Sequence, residues 1–132
     1  MALEDAIHSR LTTHAGVAAI TQNRVYPMRK PQSEKRACVI YQLISPSREI
    51  IGGVDSGLAN PRYQFRCVAP SYPEAALLAI QVTKALSRWS GTEAGQTIQA
   101  SFPEGGAGDR FDSEDDQGMY SRLLDFKIWH LE

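Results

Sequence analysis

A chain of 132 residues that is 42% apolar can bury a sizeable core and has close to the commonest length of one domain, read here as residues 1–132. The acidic start lacks a basic stretch followed by an apolar run, and the longest unbroken apolar run, Ala75 to Ile80, is too short for a bilayer. This excludes a visible secretory signal or membrane span, so the expectation is a soluble protein made in a cytoplasm. The net charge of −1 hides a polarity: residues 1–90 carry 11 Lys+Arg against 6 Asp+Glu, and residues 91–132 carry 3 against 9. Such asymmetry bears more on association than on fold.

Leu3 to about Ile20 reads as helix, with Leu3, Ile7 and Leu11 at i, i+4, i+8 and Glu4 and Asp5 in the first turn, where the helix dipole favours them. Gly16 weakens its middle, which predicts two short helices or one that bends. His8 and His14 read as surface residues. Asn23 to Ala37 reads as a connection: two prolines and dense charge argue against regular structure between Pro27 and Arg36. Its bases, Arg24, Arg29, Lys30, Lys35 and Arg36, form a candidate basic interface, either for phosphates or for an acidic protein surface. No aromatic interleaving for base stacking accompanies them.

Ala37 to Ile44 predicts a strand with apolar residues on both faces, suited to a central position. Ser45 to Asn60, with Gly52, Gly53 and Gly57, predicts a long loop or hairpin arm. Ile50 and Ile51 are then candidate assembly residues, or fold back on the core.

The best-formed stretch is Pro61 to Trp89. Arg62-Tyr-Gln-Phe-Arg-Cys-Val-Ala69 alternates, with Tyr63, Phe65, Cys67 and Ala69 on one face. Ser71 and Glu74 have capping-box spacing, Pro73 suits a first helical turn, and Ala75, Leu78, Val82, Leu86 and Trp89 recur at helical period. Ser90-Gly91 is the expected stop. Thr97 to Phe102 predicts a short strand with Ile98, Ala100 and Phe102 on one face. Pro103 to Gly118 reads as a loop bearing Glu104, Asp109, Asp112, Glu114, Asp115 and Asp116, and Met119 to His130 as the longest strand. The predicted fold is α+β: an antiparallel or mixed four-stranded sheet with two helices on one face, in the order α-β-(arm)-β-α-β-β.

Chemistry is thin. Asp112 to Asp116 lacks the glycine and closing Glu of a calcium loop. Gly105-Gly-Ala-Gly108 follows a strand but carries no Lys-Ser/Thr and opens no helix, so it does not read as a phosphate cradle. Cys38 and Cys67 read as buried thiols. No catalytic residue, metal site or cofactor is assigned, and the expectation is a protein that is not an enzyme. A small duplex-DNA-binding protein is the alternative of a different class, opposed by the acidic last third. A subunit basic at one end and acidic at the other suits a head-to-tail interface, which forms a ring if the rotation closes.

Asn23-Arg-Val-Tyr-Pro27, Cys38-Val-Ile-Tyr-Gln42, Arg62-Tyr-Gln-Phe-Arg66 and Ser71-Tyr-Pro-Glu-Ala-Ala76, in this order behind the N-terminal helix, resemble the small tail-completion proteins of long-tailed bacteriophages and prophages. The resemblance implies a structural virion protein similar to tail terminators. Such a protein forms a hexameric ring at the head–tail junction, caps the tail tube and docks on the head connector while DNA passes through. Its implied partners are further copies of itself, the tube protein, connector or adaptor proteins, and DNA without sequence-specific contact. A head-closure adaptor is the alternative within the class. Asp109, Asp112, Glu114, Asp115 and Asp116 are then candidates for the lumen or subunit interface.

Overall fold

The computed structural model describes residues 3–28, 36–45, 48–51, 54–87, 89–112 and 119–131; 48–51, 54–58, 104–112, 119 and 131 are described by their backbone alone. Among the described residues the order is α1 (Leu3–Thr13), α2 (Ala15–Thr21), β1 (Val25–Pro27), β2 (Cys38–Ser45), β3 (Arg48–Ile51) and β4 (Val54–Ala59). It continues with β5 (Arg62–Ala69), α3 (Tyr72–Leu86), β6 (Gly91–Glu93), β7 (Gln96–Asp112) and β8 (Met119–Leu131). The fold is α+β around a mixed sheet, with more elements than the four strands and two helices expected.

All strands belong to one 8-stranded sheet. β2 pairs with β5 and β3 with β4, both antiparallel, so β2–β3 and β4–β5 form one long interrupted hairpin. The lanes across the sheet run β1, β2–β3, β5–β4, β8, β7, β6. Only the short edge pair β1–β2 is parallel among the described residues.

The alternation of β5 decides which way the sheet faces. Tyr63, Phe65, Cys67 and Ala69 are buried together with Val39 and Tyr41 of β2 and Phe126 and Ile128 of β8. Onto this face pack Leu3, Ile7 and Leu11 of α1, Val17 of α2, and Leu78, Val82 and Leu86 of α3. Burying side chains of this size contributes about 1.5–3 kcal/mol each, so the face is the main energetic reason for the layered fold. Phe65 and Phe126 meet edge to face, with centroids 6.0 Å apart. A smaller cluster of Cys38, Ile40 and Val68 lies on the opposite face.

The two cysteines are buried and form no disulfide with each other, as expected of packing thiols. Cys38 pairs across to Val68, and Cys67 to Val39, so the thiols fall in different clusters. Burial pushes the Cys67 thiol far above its ordinary range, with the neighbouring Cys38 adding to the effect.

Local expectations fail where side chains find better partners. The N-terminal stretch does divide in two, and His14 is the reason: its Nδ1 accepts from the Val17 amide, capping α2. It therefore has a structural role beyond the surface position expected. Ser71 is the N-cap of α3 but makes no side-chain cap bond, so the predicted capping box does not form. Helix α3 ends at Leu86, before Ser90-Gly91, and the Ser87 amide closes on Thr83 O. Trp89 is buried beyond the helix end, with the Arg10 guanidinium 5.9 Å from its ring.

The predicted loop from Pro103 is mainly strand, since β7 runs on to Asp112. Its register against β8 shifts between Ile98 and Ala100, Pro103 and Gly106, and Gly106 and Gly108. Bulges of this kind let a glycine-rich, proline-containing segment stay in a ladder while breaking the alternation that sequence reading depends on. The first shift also separates the predicted face: Ile98 enters the core, while Phe102 is 51% exposed. Strand β6 had no sequence signal of its own. It turns into β7 through Ala94 and Gly95, both at positive φ (49° and 81°), as a tight hairpin turn requires.

Candidate functional site

Two hairpins leave the sheet at opposite ends, and the sequence-predicted residues divide between them. At one end β3 and β4 pair through Ile50↔Asp55 and Ile51↔Val54, while β4 reaches β8 only at Leu58↔Leu131 and Ala59↔His130. The expected arm is therefore a β-hairpin with Ile50 and Ile51 in its outer half. Its base is fixed: the Ile128 amide donates to Pro61 O at 3.1 Å, and Arg62 reaches Asp125 with Nη2–Oδ2 at 2.6 Å.

At the other end, β7 and β8 pair out to Asp112↔Met119, beyond Ala69↔Tyr120 where β5 ends. Asp109 sits opposite Arg122 in this ladder. Glu114, Asp115 and Asp116 lie outside the described residues. Beside the hairpin, the Arg122 guanidinium donates to Tyr72 Oη at 2.8 Å and stacks on that ring. This ties the start of α3 to β8.

The basic candidates separate into two kinds. Arg24 is buried, 8% exposed, and its guanidinium donates to Ala37 O at 2.9 Å and Ile20 O at 3.1 Å. It joins the end of α2 to the start of β2, so its charge is directed inward, away from the basic surface proposed for it. Arg36 is exposed just before β2. Arg29, Lys30 and Lys35 fall outside the described residues, in the segment connecting β1 to β2. Asp109 and Asp112 belong to β7, toward the lateral edge of the sheet away from β1 and β2.

Exposed apolar side chains were the signal that sequence reading missed. Leu77 and Ile80 lie on the outer side of α3, and a groove of about 330 Å³ beside them is lined by Ala79, Ile80, Thr83, Lys84, Arg122 and Leu124. Leu43 and Ile44 on β2 and Phe102 on β7 are also exposed. The helical period of Ala75, Leu78, Val82 and Leu86 marked the buried stripe of α3 and left Leu77 and Ile80 off it, but gave those two no role of their own. Among the described residues, no group of three or more His, Cys, Asp or Glu could hold a metal ion. No helix there is long and apolar enough to cross a membrane.

Among the described residues the architecture is a mixed sheet carrying three helices on one side. The chain belongs to the family "Tail completion protein gp17", which matches residues 5–131. Among solved structures, a chain of "Virion of native gene transfer agent (GTA) particle" superimposes with a TM-score of 0.71 at 17% identity, covering 99% of this chain and 96% of that one. That likeness is one of fold. No curated protein matches the sequence.

Proposed function

We propose that this protein is a non-enzymatic virion component that forms a closed, hexameric ring at the head–tail junction, terminating the tail tube and joining it to the head connector while DNA passes through. What supports this beyond family membership is the charge polarity of the chain, basic over residues 1–90 and acidic over residues 91–132. Such a subunit is complementary to a second copy rotated about an axis, which is the heterologous geometry of rings. Its partners are then other copies, the tube protein and connector or adaptor proteins. Its place is the virion, after assembly in the host cytoplasm.

In this reading the end of the β7–β8 hairpin, with Asp109, Asp112, Glu114, Asp115 and Asp116, faces the lumen or a neighbouring subunit. Negative charge there lets DNA slide without adhering. Deleting the gene in a producing strain tests the assignment through what accumulates. Overlong, uncapped tails are the expected product, whereas filled heads that leak DNA indicate a head-closure adaptor instead. Neutralising Asp112, Glu114, Asp115 and Asp116 together should impair ring formation or DNA passage. A normal yield of particles from that variant counts against the lumen or interface role. Tight, steeply salt-dependent binding of free duplex DNA by the purified chain favours the DNA-binding class.

A further inference from the structure

Each copy of the chain has an unpaired strand edge on both sides of its sheet. On one side β1 covers β2 only through Pro27↔Tyr41, with the Met28 amide donating to Tyr41 O. From Gln42 to Ser45, and along β3, no outer strand is paired among the described residues. On the other side β6 covers β7 only at Gln96–Ile98, which leaves β7 from Gln99 to Asp112 without an outer strand among the described residues. An unpaired edge presents a row of backbone donors and acceptors that is a template for another strand.

The two edges match in height and direction, and both carry exposed apolar side chains. Reading straight across the ladders, Leu43 aligns with Tyr63, Phe126 and Pro103, and Ser45 aligns with Arg62, Lys127 and Phe102. A pure rotation moves nothing along its axis, so with strands along that axis Gln42–Ser45 of one copy meets Phe102–Pro103 of the next. The antiparallel steps from β2 to β5, β8 and β7 make β2 and β7 run in opposite directions, so the joined strands are antiparallel. Leu43, Ile44 and Phe102, exposed at 42%, 44% and 51%, lie in these adjacent rows.

We infer that copies of this chain join edge to edge, β2–β3 of one adding to β7 of the next, so that the ring is closed by a continuous intersubunit sheet. The inference rests on the ring reading above and specifies its interface.

The test uses the full chain, assembled alone or on purified tail tubes, with ring formation followed by light scattering and electron microscopy. The double variant Ser45→Cys with Phe102→Cys places one thiol on each edge at one height. Treated with a short bismaleimide, it should give a covalent ladder of subunits ending at the ring size. Either single variant should give no species beyond a dimer. Cys38 and Cys67 are buried and stay out of the reaction. Separately, Leu43→Lys and Phe102→Lys, at exposed positions, should each leave the monomer folded by circular dichroism and abolish the ring.

Intact rings with neither the ladder nor sensitivity to these lysines would overturn edge pairing and leave the ring standing. So would loss of the ring on Leu77→Lys with Ile80→Lys but not on the edge substitutions, since the α3 face would then be the interface. A wild-type chain that stays monomeric both alone and on the tube would overturn the ring itself.

Discussion

Arg62 and Asp125 form an ion pair between β5 and β8, with Arg62 Nε and Nη2 at 3.2 and 2.6 Å from the same carboxylate oxygen. The carboxylate is buried, while about two-fifths of the arginine side chain stays exposed. Arg62 lies directly after Asn60–Pro61, where the hairpin arm departs, so the pair holds the arm's base against the rest of the sheet. Asp125→Ala is expected to destabilise by about 1–3 kcal/mol, less than for a fully buried pair because solvent screens the exposed partner. The fall should appear as a lower urea midpoint with unchanged m-value. Arg62→Ala should cost a similar amount, and the double variant less than the sum of the two.

The face built by β5 makes a contrasting prediction. Phe65 is fully buried between Tyr63 and Phe126, so Phe65→Ala should cost about 3–5 kcal/mol. Ile80→Ala, at a half-exposed position on α3, should change monomer stability by only about 0.5 kcal/mol or less. Chemical denaturation of both variants under monomeric conditions checks the pair. An equal loss for both would mean that the outer side of α3 is covered within the subunit.

Arg24 and Arg36 separate structure from surface. Arg24→Ala removes two charge-assisted bonds to Ala37 O and Ile20 O and should destabilise by about 1–3 kcal/mol. Arg24→Lys should recover only part of this, because an ammonium cannot reproduce the fork that reaches both carbonyls. Arg36→Ala, at an exposed position, should leave the melting temperature unchanged within error. Thermal melts of the three variants decide the matter.

His14 gives a pH dependence. Its pKa is lowered, first by burial and then by the charges of Arg10 and Lys84, which fits an Nδ1 that must stay unprotonated to accept the Val17 amide. A depressed pKa means that the unfolded chain takes up the proton first as pH falls. The contribution is therefore complete above the unfolded value of about 6.5 and is lost below it, through the lower folded value. Stability curves at successive pH values should show this loss in the wild type. It should be absent in His14→Asn, which keeps a capping oxygen but does not titrate.

Much of the frame was legible from local pattern. The switch from period 2 in Arg62–Ala69 to helical period after Ser71 fixed β5 and α3, because each periodicity commits one face to burial whatever the partner. Gly16 similarly predicted that the N-terminal helix would divide or bend, whereas β1 (Val25–Pro27) lies where only a connection was expected. The Gly105–Gly108 run failed as a signal for strand β7, since its three-step change of register is dictated by the neighbour β8 and not by its own alternation. The hairpin of β6 and β7 was hidden for a related reason, as it needs only Ala94 and Gly95 to turn and two short ladders to close.

Of the candidate residues, Arg24 shows why charge counting reaches only so far. Its neighbours in sequence are bases on a connecting segment, yet its guanidinium turns inward to two carbonyls that only the folded chain brings within reach. The division of charge along the chain, by contrast, belongs to the sequence itself, with 11 bases against 6 acids over residues 1–90 and 3 against 9 over residues 91–132. That Ser45 and Phe102 share a height on two outer strands of the sheet follows from strand order and register. Those are set by ladders between separate segments, with the widest reach from Arg62 to Lys127, and no local pattern encodes their geometry.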